Sequence, residues 1–422
     1  MTNDTCFAPF CSPGKGEALV KDANIQFKAD PETSQDLFKL LNRFERTGKT
    51  LVYSFCMIAE DGTKMMVGKD EPAFTVTIKN KEGFNACMSL HELLIVEAFM
   101  DENIDIDGDM IKAAVCFQDL FSDQNFILKN WRIIKPLLVG REKCNPEWIA
   151  KHYDSNNLQL LAIENTYDTY TPGIYLTDDE VMDSAAERKL AFAFEHLKLK
   201  EGDSILDIGS GWGGMIRYCS DRGVKATGIT LSNHQKNYVE ELIAKRAYTE
   251  AEVYYQDFFT YNPEKKYDAI SMMGVIEDLS DYKRVMRKLP DLVKPGGRVY
   301  LDFANDSVNF ASTRSFITKY IWPGTFRLVY MPEFIDGIRK SKLEIIGIYD
   351  DRHNYHLWAK KCYEKIQVNK EEFVSKSSEY LYRMFLTLYA GTSAAFIKPD
   401  YQCGASRVVL ELPLDRNEVL FN

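Results

Sequence analysis

The sequence predicts an α/β protein built on a mostly parallel, doubly wound sheet, with a smaller N-terminal α+β domain ahead of it and a helical lid over it. Three observations carry that reading. From Ser204 the chain runs Ser-Ile-Leu-Asp-Ile-Gly-Ser-Gly-Trp-Gly-Gly, an apolar strand opening into a glycine loop. Between 204 and 303 apolar strands alternate with helix-length segments, the pattern of parallel strands joined by crossover helices. Lys294-Pro295-Gly296-Gly297 then stops a helix and turns the chain into the next strand. Sheets of this kind bind ligands at the C-terminal ends of their strands.

Taken in order, Met1 to about Asp22 holds Cys6, Pro9, Cys11, Pro13 and Gly14 without periodicity and reads as a loosely ordered arm. Leu37, Leu40, Leu41 and Phe44 have helical spacing. Strand-like runs Leu51–Ile58 and Ala73–Ile78 are joined through turns at Gly62 and Gly68. Helices around Leu90–Phe99 and Met110–Phe121 complete a first domain taken as 1–125. Residues 126–200 read as a helical connection with two polar and aromatic clusters, His152-Tyr153-Asp154 and Tyr170-Thr171-Pro172-Gly173-Ile174-Tyr175. The last domain, 201–422, holds strands Ser204–Ile208, Lys225–Thr230, Glu252–Gln256, Tyr267–Met273, Arg298–Phe303, Lys342–Tyr349 and Ser406–Leu412. Its helices begin near Trp212, cover Asn233–Ala247 and Asp281–Val293, and fill the stretch from His353 to Phe396. A long insertion spans 305–340, with room for a lid over a substrate pocket.

A net charge of −10 over 422 residues argues against sequence-independent nucleic-acid binding and against plain adsorption to anionic lipid. Nine cysteines, an odd number with no C-x-x-C, suggest neither a metal site nor a disulfide framework. No apolar run reaches the length of a membrane span, and the first residues carry no secretory leader, so a cytoplasmic protein is expected.

Gly209, Gly211 and Gly214 satisfy G-x-G-x-x-G, which lets the backbone approach a cofactor at a helix N-terminus. A dinucleotide site wants an acid about 20 residues further on to hold the ribose. That region reads Gly228-Ile229-Thr230-Leu231-Ser232, with no acid. Asp207 stands two residues before the first glycine, as in the D-x-G-x-G of S-adenosylmethionine (SAM) methyltransferases. SAM is therefore the expected donor, and a nicotinamide is not.

Further stretches align with one group: Glu97-Ala98-Phe99-Met100-Asp101, His152-Tyr153-Asp154, Gly228 to Ser232 with Gln235, and Phe316 to Gly324, Phe-Ile-Thr-Lys-Tyr-Ile-Trp-Pro-Gly. Over residues 50 to 412 the chain resembles the cyclopropane-fatty-acyl-phospholipid synthase family of class I SAM-dependent enzymes. The resemblance implies that Gly209 and Gly211 face the methionine group with Asp207 supporting the loop, and that Thr230, Ser232 and Gln235 hold the ribose. It implies that Asp257 and Phe258 bracket adenine, that Tyr153 and Tyr170 join the cofactor-binding set, and that Glu277 and Tyr355 are catalytic. In the family a bound bicarbonate takes the proton. Here Pro172 replaces the family's cysteine, Asp278 follows Glu277 where histidine is usual, and Asp302 stands at another histidine position. A second carboxylate beside an anion site repels bicarbonate. Glu277 or Asp302 is thus expected to be the base, with Tyr355 orienting it.

The expected function is SAM-dependent addition of a one-carbon unit to the double bond of an apolar substrate such as a fatty acyl chain. Methylation of a specialised small metabolite, at carbon or nitrogen, is the alternative, and a non-catalytic lipid-binding protein a third class. The reading also admits peripheral contact with a membrane and assembly into a homo-oligomer.

Overall fold

Helical spacing at the start of the chain becomes a buried stripe. A computed structural model describes residues 27–28, 35–48, 51–121, 161–306, 316–321, 328–397 and 403–414, apart from 69, 164 and 280. In it α1 (Gln35–Glu45) buries Leu37, Leu40, Leu41 and Phe44. Around it lie β1 (Phe27–Lys28), β2 (Phe55–Ile58), β3 (Lys64–Val67), β4 (Phe74–Ile78), α2 (Lys81–Ser89), α3 (Glu92–Met100), β5 (Ile104–Gly108) and α4 (Met110–Phe121). The five strands form one sheet in the order β1-β3-β2-β4-β5. β2 and β4 run parallel, and the other pairs run antiparallel.

This unit holds more structure than periodicity gave. The stretch between Gly62 and Gly68 contains β3, which hairpins onto β2 and buries Met65 and Val67. Ahead of the expected helix at Leu90 stands a separate one, α2, whose first turn is capped by Asn80 accepting from the Gly83 N–H at 2.9 Å. It ends at Leu90, which takes a left-handed φ of 49° and so starts α3 in a new direction.

The larger sheet is preceded by α5 (Met182–His196). It contains β6 (Ser204–Ile208), α6 (Gly214–Ser220), β7 (Lys225–Thr230), α7 (Asn233–Arg246), β8 (Ala251–Tyr255), β9 (Tyr267–Met273), α8 (Tyr282–Leu292) and β10 (Val293–Asp306). After it come β11 (Val329–Tyr330), α9 (Met331–Arg339), β12 (Glu344–Asp350), α10 (Arg352–Val368), α11 (Lys370–Lys376), α12 (Glu379–Ile397) and β13 (Cys403–Glu411). The strand order is β12-β13-β10-β9-β6-β7-β8, with β11 attached beside β10. β8, β7, β6, β9 and β10 are mutually parallel, and β13 runs antiparallel to both its neighbours. Lys294–Gly297 is not a clean turn: β10 already starts at Val293 and shifts register between Val293 and Arg298.

Period-two alternation splits the sheet's side chains between two cores. Leu206, Ile208, Ile270, Met272, Val299 and Leu301 pack with α8 and α9 on one face. Ile205, Ala226, Ala269 and Tyr300 pack with α5 and α6 on the other. A third cluster joins the N-terminal unit to α10 and α12 without a break, from Leu37 and Phe55 through Phe99 to Trp358, Cys362 and Tyr389. Arg383 of α12 fastens that junction: it donates to Phe99 O at 3.0 Å, Ile104 O at 3.3 Å and Asp105 Oδ1 at 2.7 Å. Among the described residues no helix is long and apolar enough to cross a membrane.

Candidate active site

The order of the sheet reverses at β6, whose neighbours β7 and β9 lead the chain to opposite edges. Crevices form at such switch points, beyond the strand C-termini. Here the glycine loop supplies the floor. Gly209 has φ +67°, and a Cβ on it would stand 2.3 Å from Val275 Cγ2, so only glycine fits. The N–H groups of Gly209 and Ser210 both donate to Ile229 O, at 2.9 and 3.0 Å, which ties the loop to β7. A Cβ on Gly214 would meet Tyr167 O at 2.7 Å, so this glycine lets the 165–175 loop close over the crevice.

Asp207, Gly209, Gly211, Thr230, Ser232, Gln235, Asp257, Phe258 and Tyr170 all line the crevice, as does Asp278. Tyr153 lies outside the described residues. Asp207 accepts from Ser271 Oγ at 2.7 Å, and burial pushes its carboxyl up to about 7. The β7 group is internally bonded: Thr230 Oγ1 donates to Gln235 Oε1 at 3.0 Å, and Ser232 Oγ caps α7 by accepting from the Gln235 N–H at 3.2 Å. Asp257 accepts from the N–H groups of Phe259 and Thr260 at 2.8 and 3.1 Å, which bends the chain so that Phe258 turns inward.

Glu277, Asp302 and Tyr355 form a second group that does not line this crevice. Glu277 sits on a 3₁₀ turn, Ile276–Asp278, just after β9. Its Oε1 accepts from the Ala304 N–H at 2.9 Å, while its buried Oε2 has no hydrogen-bond partner. Burial pushes its carboxyl up to about 8, with Asp278 and Asp302 adding to the effect. Tyr355 stacks on Phe396 (ring centroids 4.2 Å apart) and meets Trp358 edge-on. Burial and then the nearby Glu277 hold its phenol well above the usual range. Tyr170 bridges the two groups: it lines the crevice, bonds Tyr389 OH at 3.1 Å and packs edge-on against Trp358.

Two residues carry more weight than sequence reasoning gave them. Lys189 of α5 is 1% exposed; its Nζ lies 3.3 Å from Asp302 Oδ2 and also donates to Thr171 Oγ1. A signal existed, because Lys189 falls on the stripe Met182, Ala185, Ala186, Leu190 and Ala193 that α5 buries. Asp278, read from sequence as a departure beside Glu277, is itself a wall of the crevice. Among the described residues no cluster of His, Cys, Asp or Glu is placed to hold a metal.

Fold and site together define a class I SAM methyltransferase: a sheet with one antiparallel strand, a glycine loop after β6 and a crevice at the switch point. The family model for mycolic acid cyclopropane synthetase matches residues 141–404, and the chain belongs to that family of SAM-dependent enzymes. It is 28% identical to a probable fatty acid methyltransferase of Mycobacterium tuberculosis, over 53% of each protein, so the match spans about half the length of that relative. It is 25% identical to the cyclopropane-fatty-acyl-phospholipid synthase of Escherichia coli, over 78% of this chain and 85% of that one. Among solved structures, the cyclopropane synthase MmaA2 from Mycobacterium tuberculosis superposes with a TM-score of 0.58 at 20% identity, covering 63% of this chain and 98% of that one.

Proposed function

We propose that the protein adds a one-carbon unit from SAM to the double bond of an apolar unsaturated acceptor such as a fatty acyl chain, with Glu277 as the base in place of bicarbonate. SAM, when bound, supplies an electrophilic methyl group on a sulfonium. Gly209, Gly211 and Asp207 would hold its methionine portion, Thr230, Ser232 and Gln235 its ribose, and Asp257 and Phe258 its adenine. The glycine cradle, which a single Cβ would fill, supports that assignment.

The chain's own residues then act on the acceptor. Tyr170, shared by the crevice and the aromatic group, orients the alkene toward the donor and helps exclude water. As positive charge moves onto the acceptor carbon, the π faces of Tyr170, Tyr355 and Trp358 stabilise it. A proton must leave that cation, from the new methyl group or from a neighbouring carbon, and Glu277 accepts it. One observation carries this choice of base: Glu277 is fixed through one oxygen and holds the other buried with no hydrogen-bond partner. Asp302 is instead engaged, by Lys189 at 3.3 Å and by Tyr300 OH at 3.3 Å, which suits it to positioning.

The test incubates purified protein with methyl-labelled SAM and vesicles of monounsaturated phospholipid in buffer stripped of bicarbonate. Label in the lipid at the same rate with and without added bicarbonate is expected. A rate that depends on bicarbonate removes Glu277 from the role of base. Label only in small molecules of a soluble extract supports the small-metabolite alternative.

A further inference from the structure

The crevice has a charge character that the methyl-transfer reading leaves unused. Apart from Tyr170, its ionisable lining residues are Asp168, Asp207, Asp257 and Asp278, and among the described residues no Lys, Arg or His lines it. Three of these acids are engaged within the protein. Asp168 accepts from Tyr238 OH at 2.8 Å and lies 3.7 Å from Arg217; Asp207 accepts from Ser271, and Asp257 from two backbone N–H groups.

Asp278 differs. It is 6% exposed, and its Oδ1 is buried without a hydrogen-bond partner. Its backbone is fixed, since its N–H donates to Val275 O at 3.0 Å. The other acids that line the crevice with it are Asp168, Asp207 and Asp257, and Glu277 precedes it on the same turn. Two buried cations of this region are engaged elsewhere, Lys189 by Asp302 and Thr171 and Arg217 near Asp168 at 3.7 Å. Burial pushes the Asp278 carboxyl up to about 7. A carboxylate so placed is costly until a cation reaches it.

We infer that Asp278 is the counter-charge for the sulfonium of the bound donor, and the residue by which the crevice tells that cation from the neutral thioether left after transfer. The inference rests on SAM being the crevice's ligand. Donor binding brings a positive charge into a wall of acids and drives the proton off Asp278. After transfer the thioether carries no such charge, so Asp278 takes a proton back from solvent and the product leaves more readily. The wall therefore favours turnover as well as binding, because it holds the donor more tightly than the product.

Calorimetric titration with SAM and with S-adenosylhomocysteine, in two buffers of different ionisation enthalpy at pH 7, tests this without turnover. Wild-type protein is expected to release protons on binding SAM and none on binding S-adenosylhomocysteine. Asp278→Asn should lower the ratio of SAM to S-adenosylhomocysteine affinity by about tenfold or more and reduce the proton release, Asp207 remaining as the other raised acid of the crevice. An unchanged ratio in the folded variant overturns the inference. So does equal proton release for both ligands in the wild type, a result that needs no variant. Wild-type protein that binds neither ligand overturns the donor reading itself, and the inference with it.

Discussion

Lys319 Nζ lies 2.5 Å from Glu97 Oε1, across 222 residues of chain, and Tyr320 OH donates to the same oxygen at 2.7 Å. Two motifs singled out separately in the sequence, Glu97–Asp101 and Phe316–Gly324, thus meet in space. Burial opposes ionisation of Glu97, but the bonds from Lys319 and Tyr320 outweigh it and hold the carboxyl below its usual range. The contact pins the segment whose Phe316 and Ile321 enter the same apolar cluster as Trp358 and Tyr389. Because Lys319 is 53% exposed, although Glu97 is only 22% exposed, Glu97→Gln should cost about 1 kcal/mol in denaturant unfolding. Its effect should show instead as a severalfold loss of kcat, since the clamped segment packs in the same cluster as Trp358, which the proposed function sets beside the acceptor. A variant with unaltered kcat would leave the contact without a part in turnover.

Lys189 and Asp302 form the most buried ion pair of the site, with side chains 2% and 10% exposed. Removing one partner strands the other, which for buried pairs costs about 3–5 kcal/mol. Lys189→Met is expected to lose stability on that scale, and Lys189→Met with Asp302→Asn to recover a large part of it. Chemical denaturation of the two single variants and the double variant completes the cycle; strictly additive losses would mean that the pair is not coupled.

The proposed base sets a pH dependence. Burial raises the Glu277 carboxyl to about 8, so at neutral pH most of it is protonated and cannot accept a proton. The rate of methyl transfer should therefore rise with pH through about 8 and level off above. Glu277→Gln should lose about 10²-fold or more and show no such limb. A flat wild-type profile from pH 6.5 to 9 would contradict the role.

Stability should move the other way. Asp207, Glu277 and Asp278 have folded-state values raised to about 7, 8 and 7, above the ordinary values near 4 that they regain on unfolding. Between those limits the folded state binds more protons than the unfolded state, so stability falls as pH rises. The contribution is fully present below about pH 4 and is lost as pH climbs through 7 to 8. Thermal melts of the ligand-free protein between pH 5.5 and 8.5 should show a declining Tm, less steep in Asp278→Asn. A Tm that rises across that window would rule out these buried acids as the controlling groups.

The large sheet was legible because its signals are local. Most of its strands hold a local apolar run, although the 14-residue β10 and the two-residue β11 do not fit that pattern, and the glycine loop announces itself through residues that must adopt positive φ, as Gly209 does. That Asp207, Gly209, Gly211, Thr230, Ser232, Gln235, Asp257 and Phe258 line one crevice was legible for the same reason, since the ends of parallel strands lie together. The N-terminal unit was harder to read. Its β3 is Lys-Met-Met-Val and its β5 is Ile-Asp-Ile-Asp-Gly, compositions that owe their strand form to pairing with β2 and β4 rather than to their own preference. Lys189 was easily missed because a lysine in a helix normally lies on the solvated face, whereas here Asp302 on β10 and Thr171 hold it inside. The weight of Asp278 could not be read from chain order, because it depends on which acids of the crevice are already hydrogen-bonded.

The proposed reaction has this crevice aim a sulfonium-borne methyl group at an unsaturated acyl chain. Its most direct test is mass spectrometry of monounsaturated phospholipid after incubation with SAM and either wild-type protein or Gly209→Ala, whose added Cβ would strike Val275. The account predicts a gain of about 14 mass units on the acyl chain, a methyl gained and a proton lost, with the wild type alone. Lipid of unchanged mass, in a preparation that calorimetry shows to have bound SAM, would contradict it.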